Sequence, residues 1–211
     1  MTLNELLIEI EAKVKPFYIK ADGSAHDDVH NWLHMKRVYG ACEKMLALEP
    51  SANRGEVLVA ALLHDTGRSR GVEADHALHS YEIGQEILPD LTEEFIKNNI
   101  DLEKVLLMVK YHTIAHVCPD KMIADSLEFN IFTDGDKIDM FGPIGVVRVA
   151  VGYAYNHNQA FDKTIGRLVQ SARDDNFQFQ SEAGKKIGQK YKDFLKKFVK
   201  DIEDQRQEFE L

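Results

Sequence analysis

Histidines and carboxylates occur in this chain where helical periodicity predicts buried apolar residues. His34 lies on the apolar face of one predicted helix, and His64 and Asp65 directly follow the uniformly apolar run 57–63. A single inward histidine has an ordinary explanation, because a core imidazole is often satisfied by a hydrogen bond. A buried carboxylate is costlier, since it needs a cation or several donors to offset its desolvation.

A later predicted helix has acids on two apolar stripes. Asp136 continues the stripe of Phe129 and Phe132, and Asp134 lies on a second stripe with Ile131. One such acid would be explained by a loop or by a lysine partner. Two on the same helix favour a functional site.

Two further histidines, His76 and His112, also lie on apolar helical faces. Imidazole and carboxylate together suit Mn, Fe, Co, Ni, Zn or Mg. The cysteines, Cys42 and Cys118, form no C-x-x-C pair, which excludes a zinc ribbon or a redox motif, and we expect two free thiols. The sequence therefore predicts a divalent metal site without identifying the metal.

These side chains must be positioned by helices, because helical patterns run along the chain and no convincing alternating strand pattern is present. The predicted helices are 3–20, bent or ended near Pro16, then 28–48, 51–65, 75–88, 92–98, 101–113, 120–140, 144–173 as one helix or two, and 182–207. Ser51 is a candidate N-cap and Gly67 a candidate C-cap. We predict a single all-α domain over 1–211, with a core at about 26–150 and a C-terminal helical extension over 151–211.

Composition narrows the classes of partner. The 211 residues have a formal net charge of −9, so the overall field does not attract nucleic acid or an anionic membrane. The first residues lack the order of charge and apolarity typical of a signal peptide, and no apolar run approaches the ~20 residues of a membrane span. We expect a cytoplasmic protein that binds neither nucleic acid nor membrane.

Three segments resemble, in order and spacing, the motifs of the HD-domain superfamily of metal-dependent phosphohydrolases. Residues 30–38, HNWLHMKRV, are similar to its H-D-x-x-H-x-x-R-V opening, with Asn31 in place of the usual aspartate. Residues 60–68, AALLHDTGR, resemble A-A-L-L-H-D-I-G-[KR], and residues 127–139, LEFNIFTDGDKID, resemble L-E-x-x-I-L-x-D-A-D-[KR]-L-D. The resemblance covers about two thirds of the chain, and residues 141–149 look like the continuation found in small stand-alone bacterial and archaeal members.

The resemblance implies an HD-like helical bundle and a role for each matching residue. The implied metal ligands are His34, His64, Asp65 and Asp136, with His76 and His112 available to a second metal. Asp65 would also accept a proton from the attacking water. Lys137 and Arg68 are the preferred catalytic cations for phosphate, and Arg148, Lys110 and Asp134 are assigned to substrate binding or its support. We favour one metal, because 134–148 is most similar to the mononuclear branch.

The expected function is therefore metal-dependent hydrolysis of a small phosphorylated metabolite, with a nucleotide or nucleoside pyrophosphate as the family-level choice. Glycine-rich phosphate loops of the G-x-x-x-x-G-K-[ST] or G-x-G-x-x-G type are absent from the sequence. Two alternatives stay open. One is a di-iron oxygenase using His76 and His112, and the other is a non-catalytic nucleotide-binding module.

Overall fold

The computed structural model describes residues 1–71, 75–156, 160–174 and 178–209, and only the backbone of 115–117, 153–156 and 160. Its described residues form α-helices, short 3-10 turns and one isolated bridge, with no strand among them, which confirms the all-α prediction. The helices are α1 Leu3–Val14, α2 Trp32–Leu46, α3 Arg54–Leu63, α4 His76–Ile87, α5 Thr92–Lys97, α6 Leu102–Tyr111, α7 Lys121–Ala124, α8 Leu127–Phe141, α9 Pro143–Asn156, α10 Ala160–Arg173 and α11 Glu182–Glu208. The predicted boundary near residue 150 falls inside α9 and stays a prediction.

Two predicted helix limits are wrong because capping side chains act elsewhere. Ser51 does not cap α3. The side chain of Asn53 accepts from the backbone N–H groups at the start of that helix. The predicted helix 120–140 is divided into α7 and α8, because the Ser126 hydroxyl accepts from Phe129 N and starts a new helix there.

Helix α3 is the centre of the main core. Residues 55–63 are all buried, and α1, α2, α6 and α8 pack around them. A helix that is apolar on all sides is stable only when neighbours cover every face. Its last turn therefore delivers His64 and Asp65, which are 0% and 2% exposed, to the middle of the bundle.

The turn after α3 is held against α4 by a close backbone approach. Gly67 is not a helix C-cap as predicted, since it lies inside a 3-10 turn. A Cβ atom at Gly67 would overlap the carbonyl oxygen of His76 and lie 2.6 Å from Ser80 N. Ser80 Oγ also accepts from Gly67 N at 2.8 Å and donates to His64 O at 2.7 Å. These contacts fix α4, and with it His76, beside the turn.

The C-terminal helices build a second, smaller core with the end of α8. It contains Phe141, Leu168, Ala172, Phe179, Leu195 and Val199. The 27-residue helix α11 is attached at its N-terminus, where Asp134 accepts from the backbone N–H groups of Gln180 and Ser181 and Glu49 accepts from Ala183 N. Carboxylates at a helix N-terminus are favoured by the helix dipole, so this end of α11 is firmly docked.

Two further properties follow from the described residues. Cys42 and Cys118 are both free and buried, as predicted. Among the helices of the described ranges, none is both long enough and apolar enough to cross a membrane.

We predict that Gly67→Ala destabilises the fold because the added methyl group forces α4 away from the turn. The expected loss is about 1–3 kcal/mol of unfolding free energy, the usual cost of overpacking. Gly40→Ala is the matched control, because a Cβ at this α2 position meets nothing within 4 Å. It should instead stabilise by up to about 1 kcal/mol, the helix preference for alanine over glycine. Urea unfolding of both variants measures this, and equal stabilities would contradict it.

Candidate metal centre

Four side chains converge where α2, the end of α3 and α8 meet. His34 Nε2 lies 3.2 Å from His64 Nε2, 3.3 Å from Asp65 Oδ2 and 3.4 Å from Asp136 Oδ1. His64 Nε2 is also 3.4 Å from Asp65 Oδ2. Ligand atoms of His34, His64 and Asp136 all fall within 4.8 Å of one another, a spacing that a single metal ion can bridge. The structure thus brings together the four residues predicted as ligands.

The two imidazoles are held in the tautomer that a metal requires. His34 Nδ1 faces Asp139 Oδ2 at 2.7 Å, and His64 Nδ1 faces the carbonyl oxygen of Ala61 at 2.9 Å. Both partners only accept, so each Nδ1 must bear the hydrogen and each Nε2 presents a lone pair inward. Two lone pairs 3.2 Å apart repel unless a proton or a metal ion lies between them.

Without metal, that proton resides on His34. Burial disfavours a charged His34, but hydrogen bonds with Asp136, Asp139 and Asp65 outweigh it and raise its pKa to about 10. Burial likewise opposes a charged Asp136, yet its hydrogen bond to His34 holds the pKa of that carboxyl well below the usual range. Asp136 is the exposed member, with 39% of its side chain accessible, so the site opens to solvent on its side.

A second group of possible ligands adjoins the first through Asp65. Ligand atoms of Asp65, His76 and His112 also lie within 4.8 Å of one another, with His76 Nε2 3.4 Å from Asp65 Oδ1. Burial, reinforced by His64 and His76, lowers the pKa of His112 to about 3, so this ring is neutral at physiological pH. Its Nδ1 faces Val109 O at 2.7 Å, which leaves Nε2 as the acceptor.

The cations that were predicted to bind phosphate do not all lie at the metal group. Arg68 lies at the site, with Nε 3.1 Å from Asp65 Oδ1. Arg148 is also close, but its guanidinium contacts Asp139 at 2.6 Å and is 14% exposed. Lys137 faces the other way, donating to Gln178 O at 2.9 Å.

Two of the assignments therefore need correction. Lys137 helps to dock α11, so its predicted role as a catalytic cation does not fit its position. Asp134 is fully buried and accepts from Ser181 and Gln180, which makes it a structural anchor and not a substrate contact. Lys110 Nζ lies 4.9 Å from the ring centre of Tyr81, and its predicted role in substrate binding stays a prediction.

Several residues that support the metal group were not predicted from the sequence. Asp139 accepts the Nδ1 hydrogen of His34, although the sequence had indicated only that Asp139 ends the motif at 127–139. Tyr18 is buried, donates to Leu62 O and receives Asp65 N at 3.4 Å, so it steadies the backbone beside the site. Asp27 is 3.5 Å from Arg68 and orients His30 through Nδ1 at 3.2 Å. The contacts with His34, Leu62 and Arg68 join segments that are distant in sequence, so helical periodicity could not predict them.

We predict opposite outcomes for the two acids of α8. Asp136→Ala should remove a ligand and weaken Mn²⁺ binding by more than the about 10–100-fold typical of losing an outer partner. Asp134→Ala should leave that affinity nearly unchanged but lower the unfolding free energy by about 3 kcal/mol, the scale for breaking a buried charged contact. Calorimetric titration and urea unfolding of both variants provide the measurement. Greater loss of metal in Asp134→Ala would overturn the assignment.

We also predict that metal binding releases a proton. The His34 pKa is raised from 6.5 to about 10, so this ring is protonated in the metal-free protein at pH 7.5. The proton stabilises the metal-free fold fully below about pH 6.5, and this contribution is lost as pH rises through about 10. Metal must displace it, so apparent affinity should rise with pH by up to about tenfold per unit. Titration calorimetry in buffers of different ionisation enthalpy tests this, and zero protons released would contradict it.

Comparison with known proteins identifies the family. The HD domain family model matches residues 32–140, while among curated proteins none gives a significant match. A Lactobacillus plantarum structural-genomics protein superposes with a TM-score of 0.65 at 17% identity, covering 98% of this chain and 99% of that one.

Two further solved structures share the fold. A predicted HD superfamily hydrolase from an uncultured Thermotogales bacterium gives a TM-score of 0.60 at 22% identity, over 97% and 99% of the two chains. YpgQ of Bacillus subtilis, solved in complex with ADP, gives 0.62 at 16% identity over 97% of both. The family match and the grouped His and Asp side chains support a metal-dependent hydrolase. The chain belongs to the HD domain family.

Proposed function

We propose that this protein is a metal-dependent phosphohydrolase that acts on a small phosphorylated metabolite, most simply a nucleotide. The observation behind this proposal is the convergence of four side chains, those of His34, His64, Asp65 and Asp136. Once a metal replaces the His34 proton, the Nε2 atoms of both histidines are unprotonated and can bind it. Three buried groups, those of His34, His64 and Asp65, face one another across 3.2–3.4 Å, an arrangement that a bound metal ion would stabilise.

The donor set fits a divalent metal of borderline or hard character. Two imidazole nitrogens and two carboxylates suit Mn, Fe, Co, Ni, Zn or Mg, and neither buried cysteine belongs to the ligand groups of the described residues. A metal held there would supply an acidified water and would neutralise charge on the phosphate oxygens.

Asp65 is the proposed proton acceptor for the attacking water. Its Oδ2 faces the ligand group, while its Oδ1 is held by Arg68 Nε at 3.1 Å. The carboxylate is therefore fixed in orientation, as a general base must be. Arg68 is 12% exposed, so its guanidinium is placed to balance charge that develops next to Asp65.

A small substrate suits this site better than a polymer. The chain has a net charge of −9, which gives no general attraction for nucleic acid. Positive charge is local instead: Arg68 provides it beside Asp65, and a bound divalent ion would add to it on the side that Asp136 leaves open. The ADP complex of the fold relative YpgQ favours a nucleotide as the first substrate class to test.

A second candidate is an oxygenase with two irons, because Asp65, His76 and His112 form an adjoining ligand group. Against it, Arg68 already occupies Asp65 Oδ1, the oxygen nearest His76. We therefore propose one metal per chain. His76 and His112 then serve as polar groups of the cleft beside the substrate.

We predict that metal-depleted protein releases no phosphate or pyrophosphate from nucleotides, and that Mn²⁺, Co²⁺, Ni²⁺ or Mg²⁺ restores the activity. Asp65→Ala should lower kcat/KM by about 10²–10⁴-fold, the range for a general base. His76→Ala and His112→Ala should lower turnover while one metal per chain stays bound. Phosphate assays over a nucleotide panel, combined with elemental analysis, make the measurement.

Two outcomes would contradict the proposed function, and each points to a different alternative. Two irons per chain with oxygen consumption would establish the oxygenase instead. Metal binding without hydrolysis of any phosphorylated compound would favour a nucleotide-binding module. Lys190→Ala, on the surface of α11, is the control for nonspecific effects of substitution.

A further inference from the structure

A buried carboxylate behind the metal group connects it to the C-terminal helices. Asp139 is 7% exposed and its two oxygens receive three side chains. His34 Nδ1 contacts Oδ2 at 2.7 Å, Arg37 contacts both oxygens at 2.6 and 3.1 Å, and Arg148 NH1 contacts Oδ2 at 2.6 Å. The orientation of the His34 ring therefore depends on how firmly Asp139 is held.

The guanidinium of Arg148 contacts two different parts of the chain. While NH1 donates to Asp139, its Nε donates to the carbonyl oxygen of Val29 at 3.0 Å. Val29 lies within the Asp27–His30 segment, and α9 packs against it, since a Cβ at Gly152 would lie 3.4 Å from Val29 Cγ2. One guanidinium thus joins α9, α8 and the segment that precedes α2.

We infer that Arg148 and Asp139 are positioning residues of the metal centre, so that the C-terminal helices complete a site whose ligands all lie within residues 32–140. Asp139 fixes the ring of His34, and Arg148 fixes Asp139 while it holds the Val29 backbone. This role replaces the substrate contact expected of Arg148. The inference rests on the proposed metal centre, because it concerns how tightly His34 can bind a metal.

An arginine is required because of its geometry. The planar guanidinium presents NH1 and Nε in fixed directions, which match Asp139 and Val29 O at the same time. A lysine has a single ammonium nitrogen and lacks this pair of donor nitrogens in fixed directions, so it cannot reproduce both contacts in the same geometry. Outer partners of metal-binding histidines orient the ring and raise its basicity, and their loss typically costs about 10–100-fold in metal affinity.

The experiment compares Arg148→Met and Arg148→Lys with Arg173→Met in the full-length protein. Arg173 is the matched control, because it also lies on a C-terminal helix and pairs with an acid, Glu203, but is 63% exposed. Titration calorimetry with Mn²⁺ gives the affinity, and urea unfolding of the metal-free proteins gives stability. We expect Mn²⁺ to bind about 10–100-fold more weakly to Arg148→Met, more weakly by a smaller factor to Arg148→Lys, and unchanged to Arg173→Met.

A double-variant cycle separates positioning from general loosening of the fold. If Arg148 acts through Asp139, then Arg148→Met should change Mn²⁺ affinity by no more than about twofold when Asp139→Asn is already present. Additive losses, or wild-type affinity in Arg148→Met, would overturn the inference and leave the proposed function standing. If the wild-type protein binds no metal at all, the proposed function itself is wrong.

Discussion

The rest of this structure depends on how several hydrogen-bond acceptor groups are accommodated in an apolar interior. The end of α3 carries His64 and Asp65 into the core, where a carboxylate loses its hydration and must be compensated by nearby cations. Arginines provide part of that compensation from outside, at Asp65 through Arg68 and at Asp139 through Arg37 and Arg148. The inner faces of the ligands have no arginine, and there a proton on His34 or a metal ion is needed.

Glycines at the helix contacts allow the ligands to come close together, because they have no side chain to separate the helices. Gly67 lets α4 lie against the turn that follows α3, and Gly135 lets α8 approach α2, where a Cβ would lie 2.5 Å from Cys42 Sγ. The second contact adjoins Asp136 in sequence and brings its helix against that of His34. Ordinary core packing would have separated these helices. The geometry of the centre is therefore a property of the helix interfaces as much as of the ligands.

Helical periodicity was sufficient to place His34 and Asp136 on apolar helix faces, and the apolar run before His64 was sufficient to indicate that His64 is buried, because both are local properties of sequence. It could not distinguish Asp134 from Asp136, since both lie on apolar stripes of α8. Their roles differ only because the start of α11, some 46 residues away in sequence, supplies backbone donors to Asp134. The same limit explains Lys137, which follows a ligand in sequence yet points to α11. Partners distant in sequence decide what a buried polar residue does.

Charge balance at the site indicates an order of binding. Four carboxylates lie in or beside the metal group, those of Asp27, Asp65, Asp136 and Asp139, with three guanidinium groups, those of Arg37, Arg68 and Arg148. The acids exceed the arginines by one, and the proton on His34 offsets that excess in the metal-free protein, so the metal-free group has no net positive charge to attract a phosphate. A divalent ion that replaces this proton would make the group net positive. Under the proposed function, phosphate recognition would depend on prior occupation of the His34 group, and the residues that position His34 would control both.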